Sequence, residues 1–264
     1  MRVRALLLTL VVLVASACFV VPARAAGRVW HVVRPGETMA SIARSYGLRT
    51  PVLAAWNQVL APYPVYVDEV LRLNPPPGRL PAWRTHVEEV TPADVGWDPV
   101  RRCPVPPSLL RRVWVSYLDF NGGYHDGSLI VRRDIVTRTQ HAFQRLYRMR
   151  FRIMAMAPMS VNMPGETDMG IVTGGFNCRP VAGTNVWSQH AYGTAIDLNP
   201  LQNPMFRASY VSPRAGSFYR DRSRYLIGMV HPEGAARAFT ASGFHWGGGW
   251  TSLKDYMHFS PSNK

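Results

Sequence analysis

Residues 75–107 contain nine prolines, starting with Pro75-Pro76-Pro77, and this composition divides the chain into two folding units. A proline-rich stretch has few backbone donors and stiff geometry, so it behaves as a semi-rigid spacer. We therefore expect a small unit at residues 29–74, a linker at residues 75–107 and a larger unit at residues 108–264.

The first 25 residues have the organisation of a secretory signal peptide. A positive start, MRVR, is followed by a long apolar run and by the small-x-small cleavage pattern Ala23-Arg24-Ala25. One alternative is a retained membrane anchor, which the cleavage pattern disfavours. The other is a lipoprotein attached through Cys18, which Ala15 three places earlier disfavours. We expect a secreted bacterial protein of the cell wall or periplasm, with no stable membrane span after cleavage, because no other apolar run could span a bilayer.

The formal net charge of +14 is an arginine charge, because lysine occurs only at positions 254 and 264. Removing residues 1–25 removes three arginines and no acids, which leaves +14 − 3 = +11. Such a charge favours adhesion to a polyanion, and secretion favours an anionic wall or membrane surface. The basic residues are scattered, so we expect no nucleic-acid site; a codon bias towards arginine is the alternative explanation for the charge.

Two cysteines remain after the signal segment, Cys103 and Cys178. In an exported protein such a pair predicts one disulfide. Their spacing does not fit a zinc knuckle.

Residues 29–74 have the order strand, helix, helix, strand. Residues 29–33 alternate like a strand, Thr38 can cap a first helix, a second can start at Thr50-Pro51, and residues 70–73 close as a strand. The alternative is that this segment is only a helical fragment of the larger unit.

The same segment resembles a LysM domain. The matching positions are Val32-Val33, Pro35-Gly36-Glu37-Thr38, Ile42-Ala43, Tyr46, Leu53 and Trp56-Asn57. The resemblance implies a βααβ fold that binds glycans containing N-acetylglucosamine, such as peptidoglycan. The chain departs from the family at Asp68-Glu69, where a glycine turn usually precedes the last strand.

The larger unit mixes strands and helices without strict alternation, which predicts an α+β domain with a mostly antiparallel sheet. Its expected elements are strands at 113–120, 128–133 and 151–157 and helices at 134–148 and 232–242.

Residues 188–199, SQHAYGTAIDLN, place His190 seven residues before Asp197. Alternation puts Asp197 on one face of a strand whose other face carries Ile196 and Leu198 into the core. An imidazole and a carboxylate suit a zinc site, which needs one more protein ligand if it is catalytic.

The candidate third ligand is His258, on a short terminal strand three residues after Asp255. A carboxylate beside a metal ligand is well placed to take a proton from metal-bound water. Residues three apart on an ideal strand face opposite sides, so we expect Asp255 in the turn before the strand.

Residues 113–262 resemble the zinc peptidases that act as D-Ala-D-Ala carboxypeptidases or L-alanyl-D-glutamate endopeptidases. The family pattern S-x-H-x-x-G-x-A-x-D is met from Ser188 to Asp197, and the second motif is met at Asp255 and His258. The chain departs from it at Gly249, where relatives often carry aspartate. The resemblance implies zinc ligands at His190, Asp197 and His258, a catalytic base at Asp255, an arginine that holds the substrate and its tetrahedral intermediate at Arg179, and substrate binding at Ser188.

The sequence therefore predicts a secreted zinc peptidase that hydrolyses peptidoglycan stem peptides and is held on the wall by its LysM module. It does not decide between a carboxypeptidase and an endopeptidase. One alternative is an inactive peptidoglycan-binding protein that keeps the zinc site. The presence of Asp255, the candidate base, disfavours this alternative. The other is an iron oxygenase with a two-histidine, one-carboxylate triad, in which one histidine usually lies two residues from the acid.

Overall fold

A computed structural model of the chain describes residues 30–57, 59, 62–67, 69–74, 80–159 and 170–263. The predicted signal peptide, Cys18 and Asp68 lie outside these residues. Within the described ranges, no helix is long and apolar enough to cross a membrane.

The first unit has the predicted order strand, helix, helix, strand. Thr38 caps the first helix, since its Oγ1 accepts a hydrogen bond from Ser41 N while Ser41 Oγ accepts one from Thr38 N. The first and last strands pair antiparallel, and Ile42, Leu53 and Leu71 fill the core. The elements are β1 (Trp30–Val32), α1 (Met39–Ser45), α2 (Thr50–Trp56) and β2 (Val70–Arg72).

The second unit carries short strands around one long helix. Its elements are β3 (Thr85–Glu89), β4 (Leu110–Leu118), β5 (Tyr124–Arg132), α3 (Val136–Arg148), β6 (Ala155–Met156), β7 (Val172–Thr173), β8 (Ile196–Asp197), β9 (Met205–Arg207), β10 (Tyr210–Ser212), α4 (Arg237–Thr240), β11 (His245–Trp246), β12 (Lys254–Asp255) and β13 (His258–Ser260).

These strands form three antiparallel sheets, with orders β3-β4-β5, β11-β13-β8 and β10-β9-β12, and one parallel pair, β6-β7. The predicted α+β class with mostly antiparallel sheets is therefore confirmed. Phe143 and Leu146 of helix α3 pack in a core that also contains Phe239 and Phe259. Each such side chain contributes about 1.5–3 kcal/mol by leaving water, and this core supports the back of the sheet that carries the candidate site.

The structure differs from the predicted linker over residues 85–107, which pack on the second unit. The strand β3 contains no proline, so its N–H groups are free to pair antiparallel with β4. Val90, Val95 and Val105 are buried in a core that also contains Cys178, and a disulfide joins Cys178 to Cys103.

Three other sequence predictions need correction. The strand expected at 151–157 is confined to β6, because Arg152 makes only an isolated bridge and Met154 N is taken by the side chain of Asn199. The helix expected at 232–242 begins with a π-type turn, because Gly234 has non-helical φ/ψ angles of −105° and −110°. Asp255 lies in the strand β12 and not in a turn.

Candidate metal centre

Asp197 and His258 face each other across two paired strands. The strands β8 and β13 run antiparallel with Asp197 opposite His258 and Ile196 opposite Phe259. Side chains opposite each other in such a pair lie on the same face of the sheet. Ile196 and Phe259 enter the core, so the alternation that buries them also brings the carboxylate and the imidazole together.

His190 reaches the same place from a short 3₁₀ turn, Gln189–Tyr192, that precedes β8. The turn ends at Gly193 with φ +67°, where a Cβ would lie 2.9 Å from Arg132 N, so a side chain would be strained there. His190 Nδ1 donates a hydrogen bond to the Gly175 carbonyl at 2.7 Å. That bond orients the ring and places Nε2 3.3 Å from Asp197 Oδ2, where it could bind a metal ion.

His190, Asp197 and His258 form a buried cluster that could hold a metal ion, since their ligand atoms lie within 4.8 Å of one another. Asp197 Oδ1 is enclosed and has no hydrogen-bond partner among the described residues, although His258 Nδ1 lies 3.4 Å away. A buried carboxylate oxygen without a partner is costly, and a cation would satisfy it. Two imidazoles and a carboxylate are the protein ligands of a catalytic zinc site with one open position.

The two aspartates of the site differ in charge state. Burial disfavours a charged Asp197, yet the imidazoles of His190 and His258 bring its pKa well below the usual range. Burial raises the pKa of Asp255 to about 7; the charge of Asp197 adds to this effect, and His258 and Arg179 oppose it. The site thus pairs a carboxylate whose charged form the two imidazoles favour with one whose protonated form burial favours.

Asp255 is held beside the ligands by close backbone packing. Gly247 has no room for a side chain, since a Cβ would lie 2.6 Å from Asp255 O and 3.3 Å from His258 Cβ. Trp246 Nε1 donates a hydrogen bond to Tyr256 O at 2.9 Å. Asp255 Oδ1 is enclosed with no hydrogen-bond partner in the described structure, so this oxygen is available to a ligand.

The remaining predicted site residues lie on one loop. His190 N donates to Ser188 Oγ at 3.3 Å, and Ser188 N donates to Arg179 O at 3.2 Å. The hydroxyl of Ser188 therefore caps the turn that carries His190. Arg179 is exposed, its charge reaches Asp255, and the disulfide at Cys178 fixes the adjacent backbone.

Asn199 is a structural residue of the site that the sequence did not identify. Its Nδ2 donates to the carbonyls of Arg152 and Gly228, and its Oδ1 accepts from Met154 N. These bonds anchor the end of β8 two residues after Asp197. The only signal was its position on the same alternating face as Asp197.

A cleft of about 730 Å³ is lined by His245, Trp246 and Trp250, among others. The Trp250 ring centroid lies 5.4 Å from that of His258. The sequence alone leaves open whether Trp246 and Trp250 contact a substrate or pack in the core.

Two family models match the chain. A LysM domain model matches residues 31–74, and a D-alanyl-D-alanine carboxypeptidase model matches residues 182–261. No curated protein and no solved structure matches it. The chain therefore combines a LysM domain with a D-Ala-D-Ala carboxypeptidase-like domain, which confirms both resemblances, and the second match contains the whole histidine–aspartate cluster together with Asp255.

Proposed function

We propose that the protein is a zinc-dependent peptidase that hydrolyses peptide bonds in the stem peptides of peptidoglycan. The observation that carries the proposal is the buried cluster of His190, Asp197 and His258 with Asp255 beside it, inside the segment that matches a carboxypeptidase family. An inactive binding protein would have no need to keep a second, partnerless carboxylate at the ligands.

The three ligands would be His190 Nε2, the Asp197 carboxylate and a ring nitrogen of His258. Zinc bound there would lower the pKa of a water molecule and polarise the scissile carbonyl. The Gly175 carbonyl, by accepting from His190 Nδ1, keeps the imidazole oriented towards the cluster.

Asp255 serves as the general base and then as the general acid. Its carboxylate accepts a proton from the attacking water and returns that proton to the amine that leaves. Burial raises the pKa of this carboxyl, which favours its uptake of the proton. The Arg179 guanidinium, on the exposed side of the site, supplies positive charge to the oxyanion of the tetrahedral intermediate.

The LysM domain would hold the enzyme on its polymer by binding glycans that contain N-acetylglucosamine. Tethering of this kind raises the concentration of the catalytic unit near the bonds it cuts. Without residues 1–25, the net charge of +14 − 3 = +11 would add non-specific attraction to an anionic wall. We infer that residues 1–25 direct secretion and that the protein acts in the cell wall or periplasm.

The test is hydrolysis of a synthetic stem pentapeptide that ends in D-Ala-D-Ala, before and after chelation. We expect chelation to abolish hydrolysis and zinc to restore it. Release of D-alanine would identify a carboxypeptidase, and an internal cut between L-Ala and D-Glu an endopeptidase. Metal analysis that finds iron instead of zinc in the purified protein, together with no hydrolysis in the presence of zinc, would instead support the oxygenase alternative.

A further inference from the structure

A cleft of about 430 Å³ lies where the LysM domain meets the second unit. The LysM domain contributes residues 33, 34, 36, 37 and 65–67, and the second unit contributes Phe218 and Arg224. Ligand sites are often found at such boundaries between folded units, in clefts of this size.

Arg224 joins the two walls of the cleft. Its guanidinium lies over the Tyr66 ring, 3.8 Å from the centroid, and its Nε pairs with Asp221 Oδ2 at 3.2 Å. Its charge also acts on Glu69, whose pKa it lowers against the effect of burial. Arg224 therefore brings the second unit into contact with the LysM domain at this cleft, so a ligand bound there would meet both units.

Phe218 is a large apolar side chain that the fold leaves 53% exposed. The Tyr219 ring packs edge-on against it, with centroids 5.1 Å apart, and Val67 across the cleft is 44% exposed. Exposed apolar groups gathered around a concavity mark interaction sites. Arg34 and Glu37 add polar groups to the rim, and Glu37 is held in place by bonds from Arg34 N and the ring of His31.

We propose that Phe218 and Arg224 form part of the glycan site, so that one sugar strand is bound by the LysM domain and the second unit together. A pyranose ring has an apolar C–H face and hydroxyl edges. The Phe218 ring would cover the C–H face, and Arg224 and the rim would bind the edges. This inference rests on the proposed glycan binding and adds that the bound strand has a fixed position relative to His190, Asp197 and His258.

The experiment measures binding of a soluble N-acetylglucosamine hexamer to the secreted full chain by calorimetry. High salt screens the adhesive arginine charge. We expect Phe218→Ala to weaken binding about three- to tenfold, the range for losing one aromatic contact, and Phe218→Trp to keep it. Tyr66→Ala tests the LysM wall. Tyr210→Ala is the matched control, because Tyr210 is 57% exposed on the same unit but outside the cleft.

Equal affinity of wild type and Phe218→Ala, with binding lost in Tyr66→Ala, would overturn the inference and leave LysM glycan binding intact. Failure of the wild type to bind the hexamer would overturn both the inference and the proposed glycan binding. Hydrolysis of the free stem pentapeptide by the wild type is measured separately, so the binding result does not affect the test of the peptidase proposal. An unfolding midpoint of Phe218→Ala equal to that of wild type excludes a folding defect.

Discussion

At the scale of single residues, each group in the site has a separate means of being held. Asp197 and His258 are positioned by strand register, and His190 by its bond to the Gly175 carbonyl. Asp255 depends on the absence of a side chain at Gly247. Substitutions at these positions should therefore have distinguishable effects.

Asp255→Ala and His258→Ala should separate a base from a ligand. We expect Asp255→Ala to keep its metal and to lower kcat roughly a hundred- to ten-thousandfold, as loss of a general base does. His258→Ala removes one of three ligands, so its affinity for zinc should fall. Measuring the zinc content and the rate of stem-peptide hydrolysis of each variant checks both expectations. Loss of metal from Asp255→Ala would show that this aspartate is a ligand.

Gly247→Ala and Gly249→Ala form a matched pair in one short segment. The Cβ at position 247 would lie 2.6 Å from Asp255 O, whereas at position 249 no described atom lies within 4 Å. We expect Gly247→Ala to cost about 1–3 kcal/mol in unfolding free energy and about a hundredfold in kcat/KM, because Asp255 is displaced. Gly249→Ala should resemble wild type in both measurements. Equal activity of the two variants would contradict the packing role of Gly247.

At the scale of elements, the sequence predicted the helices and strands whose residue pattern depends only on residues that are close together in the chain. The amphipathic α3 and the capped α1 follow from local spacing, and the alternation of Ile196 and Leu198 placed Asp197 correctly. The sequence did not predict β3, because its partner β4 lies more than 20 residues away. The prolines on either side of β3 also indicated a linker, although β3 itself has free N–H groups. Asn199 and Gly247 were missed because their roles depend on neighbours distant in sequence.

The disulfide should stabilise the segment that carries β3 and the loop that carries Arg179. It closes a separation of 75 residues, for which the chain-entropy relation gives about 4.5 kcal/mol. We expect the double variant Cys103→Ser, Cys178→Ser to lose stability of that order in urea unfolding. Unchanged stability, or two free thiols in protein secreted by its native host, would show that the bond does not form.

The stability of the fold around Glu69 should be sensitive to pH. Burial raises its pKa from 4.5 to about 7. The folded state then holds the proton more tightly than the unfolded state, so stability falls as pH rises from about 4.5 through about 7. Glu69→Gln should therefore raise the unfolding midpoint at pH 8 and leave it unchanged near pH 4. The control is Glu89→Gln, at a side chain that is 90% exposed. The same increase in the unfolding midpoint of this variant at pH 8 would refute the role of Glu69.

At the scale of the whole molecule, the chain joins a LysM domain to a D-Ala-D-Ala carboxypeptidase-like domain. The cleft at Phe218 and Arg224 lies where the two meet, and the disulfide fixes the segment that leads into the second. The sequence predicted both units from their motifs. It could not predict how they meet, because the contacts between Tyr66 and Arg224 and at Phe218 join segments more than 150 residues apart.

The most direct test is mass spectrometry of muropeptides released from purified peptidoglycan after incubation with the metal-replete full chain. The account predicts shortened stem peptides, formed by wild type and absent with Asp255→Ala or after chelation. Muropeptides that are unchanged by wild-type protein with its metal bound would contradict the central claim that the buried cluster is a peptidase site.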